Sequence, residues 1–158
     1  MIENNFEVDV ANSVDEAFKR MENESYDAVV SDYEMPSRNG LDFLKELREQ
    51  KNGIPFILFT GKGREEVVVR ALNLGADRYL SKNGSPETVY CELADAINKT
   101  VSHKKAEEIV RKSEERYREL ANSLPETVFE ADLTGRITFL SQRAFGIIVL
   151  HERISKRV

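Results

Sequence analysis

Tryptophan is absent from the 158 residues, and cysteine occurs once, at Cys91. A lone cysteine excludes an internal disulfide and fits a reducing compartment. Long hydrophobic runs are missing too. Stretches such as Ile54–Thr60 and Ile147–Leu150 fall far short of the roughly 20 apolar residues that span a bilayer. Met1–Asn5 carries neither a basic cluster nor an apolar core, so no secretory leader is expected. Positive charge is not in excess: the net charge of −5 argues against a nucleic-acid-binding surface. The sequence therefore predicts a globular cytoplasmic protein without nucleic-acid or membrane partners. It is long enough for one domain with a proper core, or one domain and a tail.

What is present is an alternation of short apolar runs and amphipathic stretches. Phe6–Val10 alternates weakly and predicts a strand. Ser13, with Glu16 three residues on, predicts a capped helix to about Glu24, with Val14, Ala17, Phe18 and Met21 on one face. Tyr26–Ser31 predicts a short buried strand. Asn39-Gly40 opens a helix with Leu41, Leu44 and Leu47 on one side, and Pro55–Thr60 predicts a third strand. Arg64–Leu74 predicts a helix stopped at Gly75. Asp77–Ser81 is a fourth strand, and Ser85-Pro86-Glu87 starts a long helix. Four βα units with short linkers predict a parallel sheet with helices on both faces.

From Lys99 to Leu124 there is neither glycine nor proline. Ala106, Val110, Ser113, Tyr117, Leu120 and Leu124 step by 4, 3, 4, 3 and 4, a short heptad seam suited to a homodimeric coiled coil. A solvated connecting helix fits the same pattern. Leu93, Ile97 and Thr100 lie on another phase and are expected to pack on the sheet. Beyond Pro125, "TVFEADLTGRITFLS" predicts a β-hairpin around Asp132–Gly135.

In open parallel sheets, function sits at the carboxyl ends of the strands. Those ends carry Ser31-Asp32, Thr60-Gly61 and Ser81-Lys82, so an acid, a hydroxyl and an amine converge on one edge. A carboxylate can attack an activated phosphoryl group and form an acyl phosphate. A lysine can counter the charge, and a threonine hydroxyl can hydrogen-bond a phosphoryl oxygen. Mg²⁺ bridges carboxylate and phosphate in octahedral oxygen sites, and the backbone carbonyl of Glu34 could join Asp32 as a ligand.

The blocks "VVSDYEMPSRNGLDFL", "PFILFTGKG" and "ALNLGADRYLSK" resemble a response-regulator receiver domain, over residues 6 to about 101. The resemblance implies a flavodoxin-like fold that signals by self-phosphorylation and slow autodephosphorylation, not by enzymatic turnover. It implies that Asp32 is the phosphoacceptor, served by a histidine kinase and by Mg²⁺. Thr60 would be the switch hydroxyl, Tyr79 the switch aromatic and Lys82 the phosphate-contacting lysine. Met35, Pro36, Gly40 and Gly61 would shape the loops. Residues 113 to about 146 resemble the opening of a PAS domain. The implied organisation is a receiver-like domain over 1–101, a helical linker over 102–124 and an incomplete PAS-like segment over 125–158.

The sequence departs from the family in two ways. Receivers begin with a strand ending in an acidic pair that holds the metal, whereas this chain begins at what resembles the second strand. The expectation is a domain lacking its first βα unit, with a gap between Phe6–Val10 and Tyr26–Ser31. In addition, Lys82 is followed by Asn83-Gly84, not by the family's usual proline. The alternative is a phosphorylation-incompetent pseudo-receiver serving as a dimerisation or docking module. A phosphatase of the haloacid dehalogenase type would place an acid at Glu34, but Met35-Pro36 does not suit that motif.

Overall fold

A computed structural model describes residues 6–61 and 65–142. The chain divides into two compact units, the first ending at Lys105 and the second starting at Ala106.

The first unit is built on a parallel sheet. Helix α1 spans Val14–Asn23, β1 Val29–Ser31, α2 Gly40–Glu49, β2 Phe56–Thr60, α3 Glu65–Asn73 and β3 Arg78–Ser81. Helix α4 spans Pro86–Ser123 and so runs from the first unit into the second. The sheet order is β1-β2-β3, with Val29 opposite Phe56 and Thr60 opposite Ser81. Phe56 and Leu58 are fully buried on one face, among Val14, Leu41, Leu44 and Leu47. Ile57 alternates to the other face and is equally buried. In α4, Ala96 and Thr100 are buried, with Leu93 and Ile97 half-buried around them, at the helical phase expected of a packed face. The flavodoxin-like class is thus as expected.

Phe6–Val10 corrects one expectation. It is exposed throughout and forms no strand, so the sheet has three strands, not four. Among the described residues it has no strand to pair with, and a strand persists through its ladder and its buried face. A cleft of about 260 Å³ is lined by residues 9, 11–14 and 28–32 among others. The segment is tied down at two points. Tyr26 Oη donates to Asp9 Oδ2 at 2.9 Å; loss of surrounding water, then this bond, pushes the phenol up to about 12. At the start of α1, Ser13 Oγ accepts from the Glu16 amide at 3.2 Å, and Glu16 Oε2 accepts from the Asn12 amide at 2.9 Å. Half of the expected capping box is therefore displaced by one residue. In α2 the box is complete, formed by Asn39 and Asp42.

At the amino ends of β2 and β3, Arg48 donates to the carbonyls of Asn52, Ile54 and Gly75 at 2.8, 3.1 and 2.8 Å. Gly75, with φ of +88°, supplies the left-handed residue expected after α3.

The second unit holds the rest of α4 and an antiparallel hairpin, β4 Phe129–Ala131 with β5 Ile137–Leu140. The hairpin forms where the alternation predicts it, with Gly135 at φ +83° in its turn. Tyr117 meets Phe139 with ring centroids 5.8 Å apart, so one residue of the heptad seam is already engaged. Residues 143–158 of the expected PAS-like segment lie outside the described residues. No described helix is long and apolar enough to cross a membrane.

Candidate functional site

Each candidate side chain is delivered by the end of a parallel strand. Ser31 closes β1 and turns the chain so that Asp32 follows at its carboxyl tip; Thr60 closes β2, and Lys82 follows β3. The ladder holds them in register, because the Lys82 amide donates to the Thr60 carbonyl at 2.9 Å. Lys82 Nζ donates to Asp32 Oδ2 at 2.6 Å and lies 5.2 Å from the centre of the Phe59 ring. The Glu34 amide donates to Asp32 Oδ1 at 3.3 Å. Thr60, only 1% exposed, hydrogen-bonds the same carboxylate. Burial alone would raise the Asp32 carboxyl, but the Lys82, Glu34 and Thr60 hydrogen bonds outweigh it and hold it below 3.8. The group is therefore an anion at neutral pH, as a nucleophile must be.

The structure thus brings Asp32, Thr60 and Lys82 together. Tyr79 lies elsewhere: it is half-buried against the main core cluster, opposite Leu58 on β2. Gly61 sits beside Lys82, whose Cβ an added side chain would meet at 3.9 Å, an ordinary van der Waals contact. Met35 packs on the core, Pro36 is exposed, and the Pro36 carbonyl accepts from the Arg38 amide at 2.7 Å. Gly40 is buried under the Asp32 carbonyl, and its amide donates to the Tyr33 carbonyl at 3.0 Å.

Two residues that sequence reasoning missed complete the loop. Ser31 is buried and its Oγ donates to the Asp32 carbonyl at 2.9 Å. Its position immediately before the acid was the available signal. Arg38 pairs with Glu46 at 2.9 Å and Asp15 at 3.7 Å, and lies 5.9 Å from the centre of the Phe18 ring. It fastens the loop after Asp32 to α1 and α2, and nothing local in the sequence announces that.

Asp32 and the Glu34 carbonyl are the two oxygen donors expected for Mg²⁺. Both Asp32 oxygens already accept hydrogen bonds, and no three His, Cys, Asp or Glu side chains cluster at ligand spacing among the described residues. The described residues therefore fall short of a Mg²⁺ site built by the protein alone. They would leave most octahedral positions to water or phosphoryl oxygens.

The fold and this acid–hydroxyl–amine edge define a class: the chain belongs to the response regulator receiver domain family, whose model matches residues 1–94. Similar proteins include the response regulator SaeR of Staphylococcus aureus, 36% identical over 94 residues. That match covers 60% of this chain and 41% of SaeR, so the chain spans about two fifths of this relative's length. Among solved structures, the Francisella response regulator 1452 receiver domain is 30% identical with a TM-score of 0.54, covering 61% of this chain and 76% of that one. A receiver domain protein from Clostridium thermocellum is 32% identical with a TM-score of 0.53, covering 61% and 75%.

Proposed function

We propose that the first unit is a phosphoacceptor module of a two-component phosphorelay in the cytoplasm, with Asp32 taking a phosphoryl group from a histidine-kinase phosphohistidine. The observation that supports this most is the anionic Asp32 held 2.6 Å from Lys82 beside the Thr60 hydroxyl, on the strand ends of a receiver fold. An Asp32 oxygen attacks phosphorus, the O–P bond forms as the P–N bond to histidine breaks, and the freed imidazole leaves with the electron pair. Lys82 moves its charge from carboxylate to phosphoryl oxygen, and Thr60 turns its hydroxyl to another. Those two movements, followed by Tyr79, change the surface of β3 and the neighbouring helices that meets protein partners.

A second reading is favoured by the donor set. With the Asp32 charge paired to Lys82 and no cluster of three His, Cys, Asp or Glu side chains at ligand spacing among the described residues, the pocket also suits a pseudo-receiver used for docking. In the second unit, the helix and hairpin are read as the opening of a PAS-like segment. Val110 and Leu120, 58% and 59% exposed, supply an apolar stripe for pairing of α4 between two copies.

Intact mass after incubation with a small phosphodonor, with and without Mg²⁺, separates the readings. The phosphoacceptor reading predicts a gain of one phosphoryl group in the wild type and none in Asp32→Asn. No gain in a chain shown to be folded by circular dichroism leaves the docking module.

A further inference from the structure

Lys82 reaches Asp32 from just beyond the end of β3, and the peptide that follows it has left the ladder. The Lys82 amide donates to the Thr60 carbonyl at 2.9 Å, so this residue turns its amide towards β2. Successive residues of a parallel strand direct their amides to opposite sides, and β3 is the outermost strand of the described sheet. The Asn83 amide therefore points away from the sheet, where no described strand accepts from it. Ser81 Oγ accepts from it instead, at 3.1 Å. A serine that bonds the amide two residues on closes a small side-chain turn. Here that turn is wrapped around Lys82 itself.

Beyond Asn83 the chain passes through Gly84, at φ +141°, before Ser85 accepts from the Thr88 amide at 3.3 Å as α4 begins. A glycine imposes few limits of its own on a turn, which leaves the Ser81 bond to define this one. Lys82 carries a long, flexible stem. Its Nζ nevertheless sits 2.6 Å from Asp32 Oδ2 and 5.2 Å from the centre of the Phe59 ring, although the side chain is 38% exposed. The backbone it springs from is fixed on both sides. Before the Cα, the Lys82 amide bonds Thr60; after it, the Asn83 amide bonds Ser81. Only the second bond is made by a side chain.

We propose that Ser81 is the positioning residue for Lys82: its hydroxyl fixes the Lys82–Asn83 peptide and so aims the ammonium at the Asp32 carboxylate. The step that Lys82 serves rests on the phosphoacceptor reading. The aim itself belongs to the unphosphorylated chain and is measured without any phosphoryl transfer.

The test is trace acylation of the folded full chain with acetic anhydride, the rate at Lys82 being read by peptide mass spectrometry against that at Lys45, whose side chain is 63% exposed. The variants are Ser81→Ala, Ser81→Thr, Asn83→Pro and the double substitution Ser81→Ala with Asn83→Pro. Proline has no amide hydrogen, so in the Asn83→Pro background Ser81 has nothing to hold. Ser81→Ala should raise the Lys82 to Lys45 ratio roughly fivefold, the factor that one hydrogen bond is worth, while Ser81→Thr keeps the wild-type ratio. In the Asn83→Pro background Ser81→Ala should change the ratio less than about twofold, because the coupled partner is gone. Urea unfolding confirms that each variant is folded where its label is read. Phosphoryl gain from a small phosphodonor should slow in Ser81→Ala by a similar factor. A wild type that gains no phosphoryl group removes the phosphoacceptor reading, and the labelling still decides the aim of Lys82. An unchanged ratio in Ser81→Ala, a raised ratio in Ser81→Thr, or an equal rise in the Asn83→Pro background would overturn the proposal. If Asn83→Pro fails to fold, the contrast between Ser81→Ala and Ser81→Thr decides alone.

Discussion

At Gly40 an added methyl group would collide with the Asp32 carbonyl oxygen and lie 2.9 Å from Leu58 Cδ1 and 3.0 Å from Ser31 Oγ. The first neighbour is backbone and cannot swing aside. Gly40→Ala should therefore cost about 1–3 kcal/mol, the usual range for an overpacked core. Urea unfolding should show a lower midpoint at an unchanged slope. The Asp32 carboxyl gives a pH-dependent expectation. Its folded value is lowered, so its contribution is present above the unfolded value near 3.8 and is lost as pH falls through the folded value. The stability difference between wild type and Asp32→Asn should be constant near neutrality and shrink below pH 3.8. With both partners more than a third exposed, the difference stays under about 1 kcal/mol. A gap that persists unchanged into acid would contradict the assignment of the shift. At this scale Asp32, Thr60 and Lys82 were legible because strand ends are marked by where apolar runs stop. Ser31 and Arg38 were not, since their importance lies in contacts that only the folded loop creates.

Among the elements, helices with a cap and an apolar face were the most legible. The helix start at Asn39-Gly40, the Leu41–Leu44–Leu47 stripe and Gly75 each appear where the sequence places them. Strands β2 and β3 lie within the expected runs Pro55–Thr60 and Asp77–Ser81. Phe6–Val10 failed because an alternating run states a preference, while a strand exists only with a neighbour to pair with. The amino ends of β2 and β3 depend on one side chain. Arg48 is 25% exposed and spans the carbonyls of Asn52, Ile54 and Gly75, with Asp77 at 3.4 Å. Arg48→Met keeps the aliphatic stem but removes these charged hydrogen bonds. It should lower stability by about 2 kcal/mol, read as a lower thermal midpoint. An unchanged midpoint would mean that water replaces the guanidinium without cost.

For the molecule as a whole, the receiver unit follows from three sequence blocks whose order and spacing fit one parallel sheet. The second unit is thinner in signal: a helix without breakers and a hairpin turn were readable, while the engagement of Tyr117 by Phe139 was not. Val110 and Leu120 on α4 are exposed, and pairing through them is part of the proposal. Val110→Glu should weaken any association that runs through it by at least about tenfold, measured by light scattering after size-exclusion chromatography. Unaltered association in that variant would remove α4 from the interface.

Phosphoacceptor activity would rest on one bond, the acyl phosphate on Asp32. Borohydride reduces an aspartyl phosphate to homoserine, and peptide mass spectrometry then locates the change. After treatment with a phosphodonor, homoserine is expected at position 32 of the wild type and at no other acid, with none in Asp32→Asn. A folded protein that yields no homoserine, or yields it at a different aspartate, would contradict it.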